Sequence, residues 1–529
     1  MMGSPVRTDI VWKALAEVVE AVHRRRGYVY LGREISFKEI DDISDRVASG
    51  FLKAGINKGD RVGIICPNQP EWLHTYFAVA KIGAVLLGLD VRYRAAEFEY
   101  MVNQSGAKAL VTIAQSDDMD YRSFFEDFRT RIPTVEFFFF IGEGGFPGSH
   151  RFETLLNTPA DKYALENAKA AVKPDDLIMI IYTSGTTGKP KGAALTHKSQ
   201  MAAAIAQAEH TRTTKEDLIL LALPFMHVGG ITCGILNFLV GKGTCVLIPG
   251  FSKEAVIEHA IKYKPTVFAG VPTTHALCMM DKRFQEWDSR DQVRLLISGG
   301  ANSEPELLRK LLAAFPNAAM MNLYGLSETS GAAIMSTWDS DFETSARSIG
   351  KPIGGGQVRI VDLDGNDLAS GETGELWIKS DSVVAGYYGM PEETELSFDC
   401  GGWLHTGDMG YMDRQGHITL VGRKKEMYIQ GGYNVYPVEV ENLLLKHPKV
   451  LFAAGIGVPD AILGEVGRYY IVPKPGAAIT EDEIKEYCAR NIADYKIPRQ
   501  IVFRNELPLT PLHKVKKSVL KEIYEKTGT

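Results

Sequence analysis

The chain has 529 residues, of which 45% are hydrophobic and 23% are charged. Its length predicts several domain-sized units, and its composition excludes a disordered or fibrous protein. The formal net charge of −6 gives no basic surface, so we expect no nucleic-acid partner.

Helix-like and strand-like patterns alternate through the first part of the chain. Residues 35–55 predict a helix, with Ile40, Ile43, Val47 and Phe51 on one apolar face. Short apolar strands are predicted at 61–66, 85–91 and 109–113, and a second helix at 71–82. This alternation predicts a layered α/β domain with largely parallel sheets.

Residues 177–192 carry the most informative pattern. A buried strand is predicted first, because the run Leu-Ile-Met-Ile-Ile is continuously apolar. Glycines, hydroxyl groups and lysines follow, a combination that suits a polyphosphate. The candidate phosphate-binding residues are Thr183, Ser184, Gly185, Thr186, Thr187, Gly188 and Lys191. The glycine spacing does not fit the Walker loop G-x-x-x-x-G-K-S/T, and an ordinary solvated loop is the simpler alternative.

Three more predicted strands end in small or polar residues. They cover 218–223, 267–271 and 295–301, and they lead into His227 and into Gly300 and Ala301. Ligands of open α/β sheets bind at the carboxyl ends of strands, so these residues are candidate contacts. A lone histidine is nevertheless more often structural than catalytic.

Polar and aromatic candidates follow in two further segments. The first segment contains Asn322, Leu323, Tyr324, Gly325, Ser327 and Glu328, and the second contains Asp408 and Arg423. Read alone, Glu328 is a surface carboxylate and the Gly-Asp pair that contains Asp408 is a turn.

The chain changes character after Arg423. A glycine pair, Gly431 and Gly432, precedes Tyr433, and helices are predicted at 438–447, 481–491 and 518–526. We therefore predict an α/β fold with a large layered N-terminal domain (1–423) built on mainly parallel sheets. A small α+β C-terminal domain (424–529) follows it.

These segments resemble, in order, the motifs of the adenylate-forming superfamily. Residues 183–192 match every specified position of T-S-G-T-T-G-x-P-K-G, and residues 324–328 resemble Y-G-x-T-E with Ser327 in place of threonine. Residues 508–515 resemble P-x-T-x-x-G-K-I, with His513 in place of glycine before Lys514. The superfamily contains acyl-CoA synthetases, firefly luciferases and peptide-synthetase adenylation domains.

The resemblance implies a nucleotide site. Residues 183–191 would hold the β- and γ-phosphates, and Glu328 would hold Mg²⁺, which favours carboxylate oxygen. Tyr324 would stack on adenine beside Gly300 and Ala301. Asp408 would accept the ribose hydroxyls with help from Arg423.

The resemblance also implies the moving parts of a two-step reaction. His227 would line the carboxylate pocket as a gate, and Lys514 would bridge the carboxylate and the α-phosphate. The smaller domain would rotate about Lys425 and bring residues 431–433 beside the channel for pantetheine.

The function implied is an ATP-dependent acid–CoA ligase that uses ATP, Mg²⁺ and coenzyme A. It would activate a fatty, alicyclic or aromatic acid as acyl-AMP. Relatives that activate amino acids carry an aspartate near the position of His227, and this chain has none there, which argues against an amino-acid substrate. Gly229 and Gly230 would leave room for a bulky acyl group. Loading of a carrier protein, a luciferase-like oxygenation and simple nucleotide binding stay open as alternatives.

Three features of the sequence bear on where in the cell the protein acts. No apolar run is long enough to span a membrane, and no charged segment leads into an apolar leader. Six widely spaced cysteines indicate buried, reduced thiols. We therefore expect a cytoplasmic protein; a peripheral membrane contact and a homodimer are compatible with the sequence.

Overall fold

A computed structural model describes residues 6–116, 119–183, 189–301, 303–509 and 515–527. These residues form four β-sheets. The strands are β1 (Arg26–Tyr30), β2 (Arg33–Ser36), β3 (Arg61–Ile65), β4 (Val85–Leu89), β5 (Ala109–Ile113), β6 (Phe137–Ile141), β7 (His150–Arg151), β8 (Leu177–Thr183), β9 (Lys191–Thr196), β10 (Leu218–Leu221), β11 (Thr244–Leu247), β12 (Val267–Gly270), β13 (Leu295–Gly299), β14 (Ala319–Leu326), β15 (Gly331–Met335), β16 (Lys351–Pro352), β17 (Gln357–Val361), β18 (Gly374–Lys379), β19 (Leu404–Met412), β20 (Ile418–Arg423), β21 (Tyr428–Gln430), β22 (Tyr433–Val435), β23 (Val450–Asp460), β24 (Gly464–Pro473) and β25 (Gln500–Phe503).

Helices connect and cover the sheets. They are α1 (Val11–Val22), α2 (Phe37–Lys53), α3 (Pro70–Ile82), α4 (Ala95–Ser105), α5 (Tyr121–Phe128), α6 (Phe152–Leu156), α7 (Lys162–Ala171), α8 (His197–His210), α9 (Val228–Gly230), α10 (Asn237–Gly241), α11 (Lys253–Tyr263), α12 (Pro272–Met280), α13 (Pro305–Ala314), α14 (Phe342–Arg347), α15 (Pro391–Ser397), α16 (Pro437–Leu445), α17 (Glu481–Ala489) and α18 (Lys517–Thr527). A π-helical turn (Ile231–Leu236) joins α9 to α10, and a short 3₁₀ turn (Ser327–Thr329) follows β14.

Two large sheets build the first part of the chain. One has the strand order β7-β6-β5-β3-β4-β8-β9, and the other has β16-β15-β14-β13-β12-β10-β11-β1-β2. The pairs in the middle of both sheets are parallel, whereas β8–β9, β14–β15–β16 and β1–β2 are antiparallel. One hydrophobic core contains residues of both sheets and of α1, α3 and α8. Both faces of the inner strands are therefore covered, which explains their continuously apolar sequences.

Two smaller sheets complete the fold. Strands β17 to β20 form an antiparallel sheet, and β21 to β25 form a mostly antiparallel sheet with a single parallel pair, β24–β25. Helices α16 and α17 cover one face of this last sheet, and α18 packs against a second hydrophobic cluster. The predicted fold class is confirmed, and the boundary predicted at 423/424 falls between β20 and β21.

The cysteines depart in part from the sequence-based expectation. All six are free, and Cys66, Cys245, Cys278 and Cys488 are buried. Cys233 is partly exposed and Cys400 is exposed, so the expectation of buried thiols is wrong for Cys400. Among the described residues, none of the helices combines the length and the apolar character that crossing a bilayer needs.

Candidate functional site

The predicted phosphate loop connects the two strands of a hairpin. Thr183 at the end of β8 lies opposite Lys191 at the start of β9 in the antiparallel register. The loop itself (Ser184, Gly185, Thr186, Thr187 and Gly188) lies outside the described residues, as do His513 and Lys514. The roles expected of these residues stay predictions.

Lys191 is held by groups that the sequence did not indicate. Its side chain is nearly buried and forms an ion pair with Glu393. Its Nζ also lies 5.1 Å from the centre of the Tyr387 ring. The Tyr387 hydroxyl donates a 2.7 Å hydrogen bond to Oε1 of Glu328. Lys191 and Glu328 are thereby linked through one tyrosine.

A tight turn presents Glu328 at the carboxyl end of β14. The hydroxyl of Thr329 accepts a 2.8 Å hydrogen bond from the Leu326 amide, and the Glu328 carbonyl accepts one of 3.0 Å from the Val384 amide. Burial, followed by the charge of Glu328, raises the pKa of Tyr387, so its hydroxyl stays protonated and remains a donor.

Asp408 forms the second polar centre. It is only 4% exposed, although it is an acidic residue. Tyr324 donates a 2.6 Å hydrogen bond to its Oδ2, and Nε of Arg423 lies 2.9 Å from its Oδ1. A carboxylate has about four acceptor positions, so Asp408 retains capacity for further donors. Burial raises the pKa of Tyr324 well above its usual value, which keeps its hydroxyl a donor.

Asn322 braces the strand that carries Tyr324. Its Nδ2 donates to the Ser348 carbonyl at 3.0 Å and also to the Ser345 carbonyl. Its buried Oδ1 accepts no hydrogen bond within the described part of the chain. One buried acceptor, two residues before Tyr324 on the same strand, therefore lacks a donor.

An apolar cavity of about 90 Å³ extends along β10, β12 and β13 and reaches the residues that flank Tyr324 on β14. Its lining is mainly aliphatic and includes Ile219, Leu221, Val267, Leu295 and Ile297. Four of the predicted site residues also line it: His227, Gly300, Leu323 and Gly325. The described structure thus brings the strand-end candidates together around one cavity, whereas Ala301 lies outside its lining.

His227 and the two glycines after it differ in what they do. Nδ1 of His227 accepts a 3.0 Å hydrogen bond from the Gly229 amide, so the imidazole caps α9. Gly229 lines the cavity, but a Cβ on Gly230 would lie 2.2 Å from the Pro224 carbonyl oxygen. The expectation that Gly230 leaves room for an acyl group is therefore wrong. The absence of a side chain at Gly230 allows the Pro224 main chain to pack closely against it instead.

A second cavity of about 330 Å³ lies next to the first one. Both cavities share the wall residues Leu223, Gly270 and Val271. The second cavity also includes Asp90 and Arg92, whose side chains form a 2.7 Å ion pair. Two neighbouring cavities therefore border the segments that follow β10 and β12.

The remaining predicted residues lie after β20. Lys425 is close enough to Arg423, Asp408 and Lys191 to sense their charges, and burial followed by Arg423 lowers its pKa. Gly431 and Gly432 have φ angles of +60° and +88°. The half-exposed Tyr433 stacks on Tyr495 at 4.6 Å. None of residues 431–433 lines either cavity in the described structure.

Tyr387 and Glu393 are the site residues that the sequence analysis missed. They lie in and just before α15, a short surface helix with no buried residue. Periodicity does not single them out, and only their contacts across the fold reveal a role.

Two family comparisons agree with this geometry. The AMP-binding enzyme family matches residues 15–388, and the AMP-binding enzyme C-terminal domain matches residues 439–514. The chain belongs to the AMP-binding enzyme family. The first match ends just after Tyr387, and the second ends at Lys514.

Relatives of this AMP-binding enzyme include CoA ligases. A ligase from Rhodococcus jostii, named for a methyl-dioxo-octahydroindenyl propanoyl group, is 33% identical over 92% of this chain and 93% of its own length. Among solved structures, an anthranilate CoA ligase in complex with anthranoyl-AMP is 25% identical, with a TM-score of 0.87 over 97% of this chain and 98% of its own. ATP-bound MatB from Rhodopseudomonas palustris is 27% identical, with a TM-score of 0.84 over 98% of this chain and all of its own.

Proposed function

We propose that this AMP-binding enzyme is an ATP-dependent acid–CoA ligase that forms an acyl-AMP intermediate. The observation that carries the proposal is the adjacency of two polar centres and an apolar cavity. Asp408 with Tyr324 and Arg423 forms one centre, and Glu328 with Lys191 forms the other. The cavity beside them suits the apolar body of an acid.

The free acceptors around Tyr324 suit the nucleoside part of ATP. Oδ1 of Asn322 would accept a hydrogen bond from the adenine amino group, which is a donor. Asp408 would accept the ribose hydroxyls with its remaining lone pairs. The ring of Tyr324 offers an aromatic surface for the base.

The residues present fit a Mg²⁺ ion that is held mainly by substrate phosphates. Mg²⁺ commonly takes one or two protein carboxylates, and Glu328 supplies one beside Lys191. When bound, the ion would neutralise phosphate charge. Lys191 and the loop at 184–188 would hold the β- and γ-phosphates from the other side.

The first step is attack on the α-phosphorus of ATP. A carboxylate oxygen of the acid forms the new P–O bond, and pyrophosphate leaves with the electrons of the bond that breaks. Lys514 would stabilise the negative charge at the reacting oxygens. His227 would border the carboxylate, because it lines the apolar cavity in the segment that follows β10.

The second step is thioester formation. The CoA thiol attacks the acyl carbonyl, AMP leaves with its bridging oxygen, and the thiol proton is released to solvent. The larger cavity gives the thiol a route separate from the acyl group, and the Arg92 guanidinium in its lining suits phosphate. Rotation of residues 424–529 about Lys425 would replace Lys514 by residues 431–433.

Pyrophosphate release tests the proposal. The assay uses ATP and Mg²⁺ with fatty, alicyclic and aromatic acids, each with and without CoA. An acid–CoA ligase gives sustained turnover only with CoA and produces AMP and a thioester. A single turnover that CoA does not extend would indicate another acceptor, such as a carrier protein. Formation of a product that depends on oxygen would indicate a monooxygenase.

Light scattering in the same buffer tests whether the protein is a homodimer.

A further inference from the structure

One wall of the apolar cavity is polar. Gln207 near the end of α8, Thr211 and Thr213 just after it, and Asn237 at the start of α10 all line the cavity. Gln207, Thr211 and Asn237 are at most 2% exposed. Buried polar groups almost always have hydrogen-bond partners, so the partners of this cluster define what the wall can recognise.

The π-helical turn fixes the orientation of the two amides. The carbonyl of Cys233, within this turn, accepts hydrogen bonds from Nε2 of Gln207 at 3.1 Å and from Nδ2 of Asn237 at 3.2 Å. Only the amino end of each side chain can donate to a carbonyl. The carbonyl end of Gln207 therefore points away from Cys233.

The hydroxyl protons of the cluster are already used. Thr211 donates to the main-chain carbonyl of Gln207 at 2.7 Å. Thr213 then has two acceptors, the Thr211 hydroxyl at 2.7 Å and Oδ1 of Asn237 at 3.2 Å. Oε1 of Gln207 is buried and receives no hydrogen bond from any described residue. One buried acceptor, on a residue that lines the cavity, thus lacks a donor.

We propose that this wall is a hydroxyl-binding subsite, in which Oε1 of Gln207 accepts a hydrogen bond from a hydroxyl group on the acyl part of the substrate. The proposal rests on the function proposed above, because it treats the cavity as the acyl pocket. The preferred acid has an apolar body and carries a hydroxyl away from its carboxylate.

The chemistry of the wall excludes other polar substituents. A ketone or an ether supplies only acceptors, so neither satisfies Oε1 of Gln207. An ammonium group would be buried without a counter-charge, since no aspartate or glutamate lines the cavity among the described residues. The subsite therefore distinguishes a hydroxyl from its methyl ether, which differs by one hydrogen-bond donor.

Matched acids on the same skeleton test the subsite. Aryl-propanoates and straight-chain alkanoates are compared with hydrogen, hydroxyl or methoxy at each distal position, using kcat/KM for pyrophosphate release with CoA. At one or more positions we expect the hydroxy acid to exceed both partners by about tenfold, the effect of one buried hydrogen bond.

Variants of two glutamines on the same helix separate recognition from folding. Gln207→Leu and Gln207→Met should remove the preference for the hydroxy acid over the unsubstituted and methoxy acids. The control is Gln200→Met, because Gln200 is also fully buried on α8 but has partners in Tyr76 and Thr232, at 2.7 Å and 3.1 Å. It should lower thermal stability and leave the preference unchanged.

The outcomes distinguish this inference from the proposed function. Turnover of unsubstituted acids without any hydroxyl preference, or a preference that survives in both Gln207 variants, overturns the subsite and leaves the ligase intact. Failure of the wild-type chain to activate any acid overturns both. If either Gln207 variant fails to fold, its thermal unfolding shows this, and the other variant gives the result.

Discussion

At the scale of single residues, Asp408 is the side chain on which nucleotide binding depends most directly. It is buried, accepts a hydrogen bond from Tyr324 and forms an ion pair with Arg423. Its remaining lone pairs are the candidate acceptors for ribose. Because the carboxylate is held on two sides, its geometry is set before ATP arrives.

The variant Asp408→Asn should weaken ATP binding. The amide keeps the size of the side chain but loses its charge and one acceptor oxygen, so we expect KM for ATP to rise about 10- to 100-fold. Steady-state kinetics at saturating acid and CoA measure this change. Asp367→Asn is the control, because Asp367 is exposed and, within the described ranges, its side chain pairs only with Arg359. An unchanged KM in Asp408→Asn would contradict the assigned role.

Tyr387 orients the carboxylate proposed to hold Mg²⁺. The variant Tyr387→Phe removes the 2.7 Å hydrogen bond to Glu328 and keeps the ring beside Lys191. Removing a hydrogen-bond partner of a metal ligand commonly lowers metal affinity 10- to 100-fold. We therefore expect the Mg²⁺ concentration needed for half-maximal activity to rise about tenfold. Pyrophosphate release is measured against Mg²⁺ concentration. Tyr388→Phe serves as the control, and identical Mg²⁺ curves for all three proteins would refute the role.

The residues of the site were predictable only where they belong to continuous motifs. Four of them lie within such motifs, and the structure brings them into one region: Tyr324, Glu328, Asp408 and Arg423. Tyr387 and Gln207 carry no such pattern. Their roles come from contacts with Glu328 and Cys233 that are distant in sequence, and no local signal encodes those contacts.

At the scale of elements, strands buried on both faces were the easiest to predict. Predicted and observed bounds coincide for β5 and differ by at most two residues for β3, β4, β10 and β12. The observed helix α2 (Phe37–Lys53) also lies inside its predicted range. The helices α5, α6 and α7 were not predicted from residues 115–165, because they are short and their hydrophobic periodicity is weak.

The turn after β10 depends on one glycine rather than two. In Gly230→Ala the new methyl group would meet the Pro224 main chain, so we expect a loss of about 3 kcal/mol in the free energy of unfolding. Urea unfolding measures this loss. In Gly229→Ala the nearest atom is Nδ1 of the His227 side chain, at 3.2 Å. This control should change acid preference more than stability, and equal stability losses would contradict the distinction.

At the scale of the whole molecule, three buried histidines should make stability depend on pH. Burial lowers the pKa of His74 and His197 to about 3 and that of His275 to about 4. These side chains stay neutral in the folded state, whereas in the unfolded state they take up protons below pH 6.5. Stability is therefore unaffected above that pH and falls as the pH decreases from 6.5 toward 4.

Each histidine should contribute about 1.4 kcal/mol per pH unit within that range. Urea unfolding at pH 7.5, 6.0 and 5.0 measures the slope. In His74→Phe the slope should fall by about 1.4 kcal/mol per pH unit, since neither ring nitrogen of His74 has a partner among the described residues and no hydrogen bond is lost. A slope equal to that of the wild type would show that His74 is not the buried neutral group assigned here.

The central claim concerns the whole reaction, that a carboxylate oxygen attacks the α-phosphate of ATP before CoA takes the acyl group. Mass spectrometry of the products from an acid labelled with ¹⁸O in both carboxylate oxygens tests it most directly. The account predicts that AMP carries one ¹⁸O atom and that the acyl-CoA carbonyl retains the other. Unlabelled AMP, or ADP with labelled phosphate, would contradict an acyl-AMP intermediate.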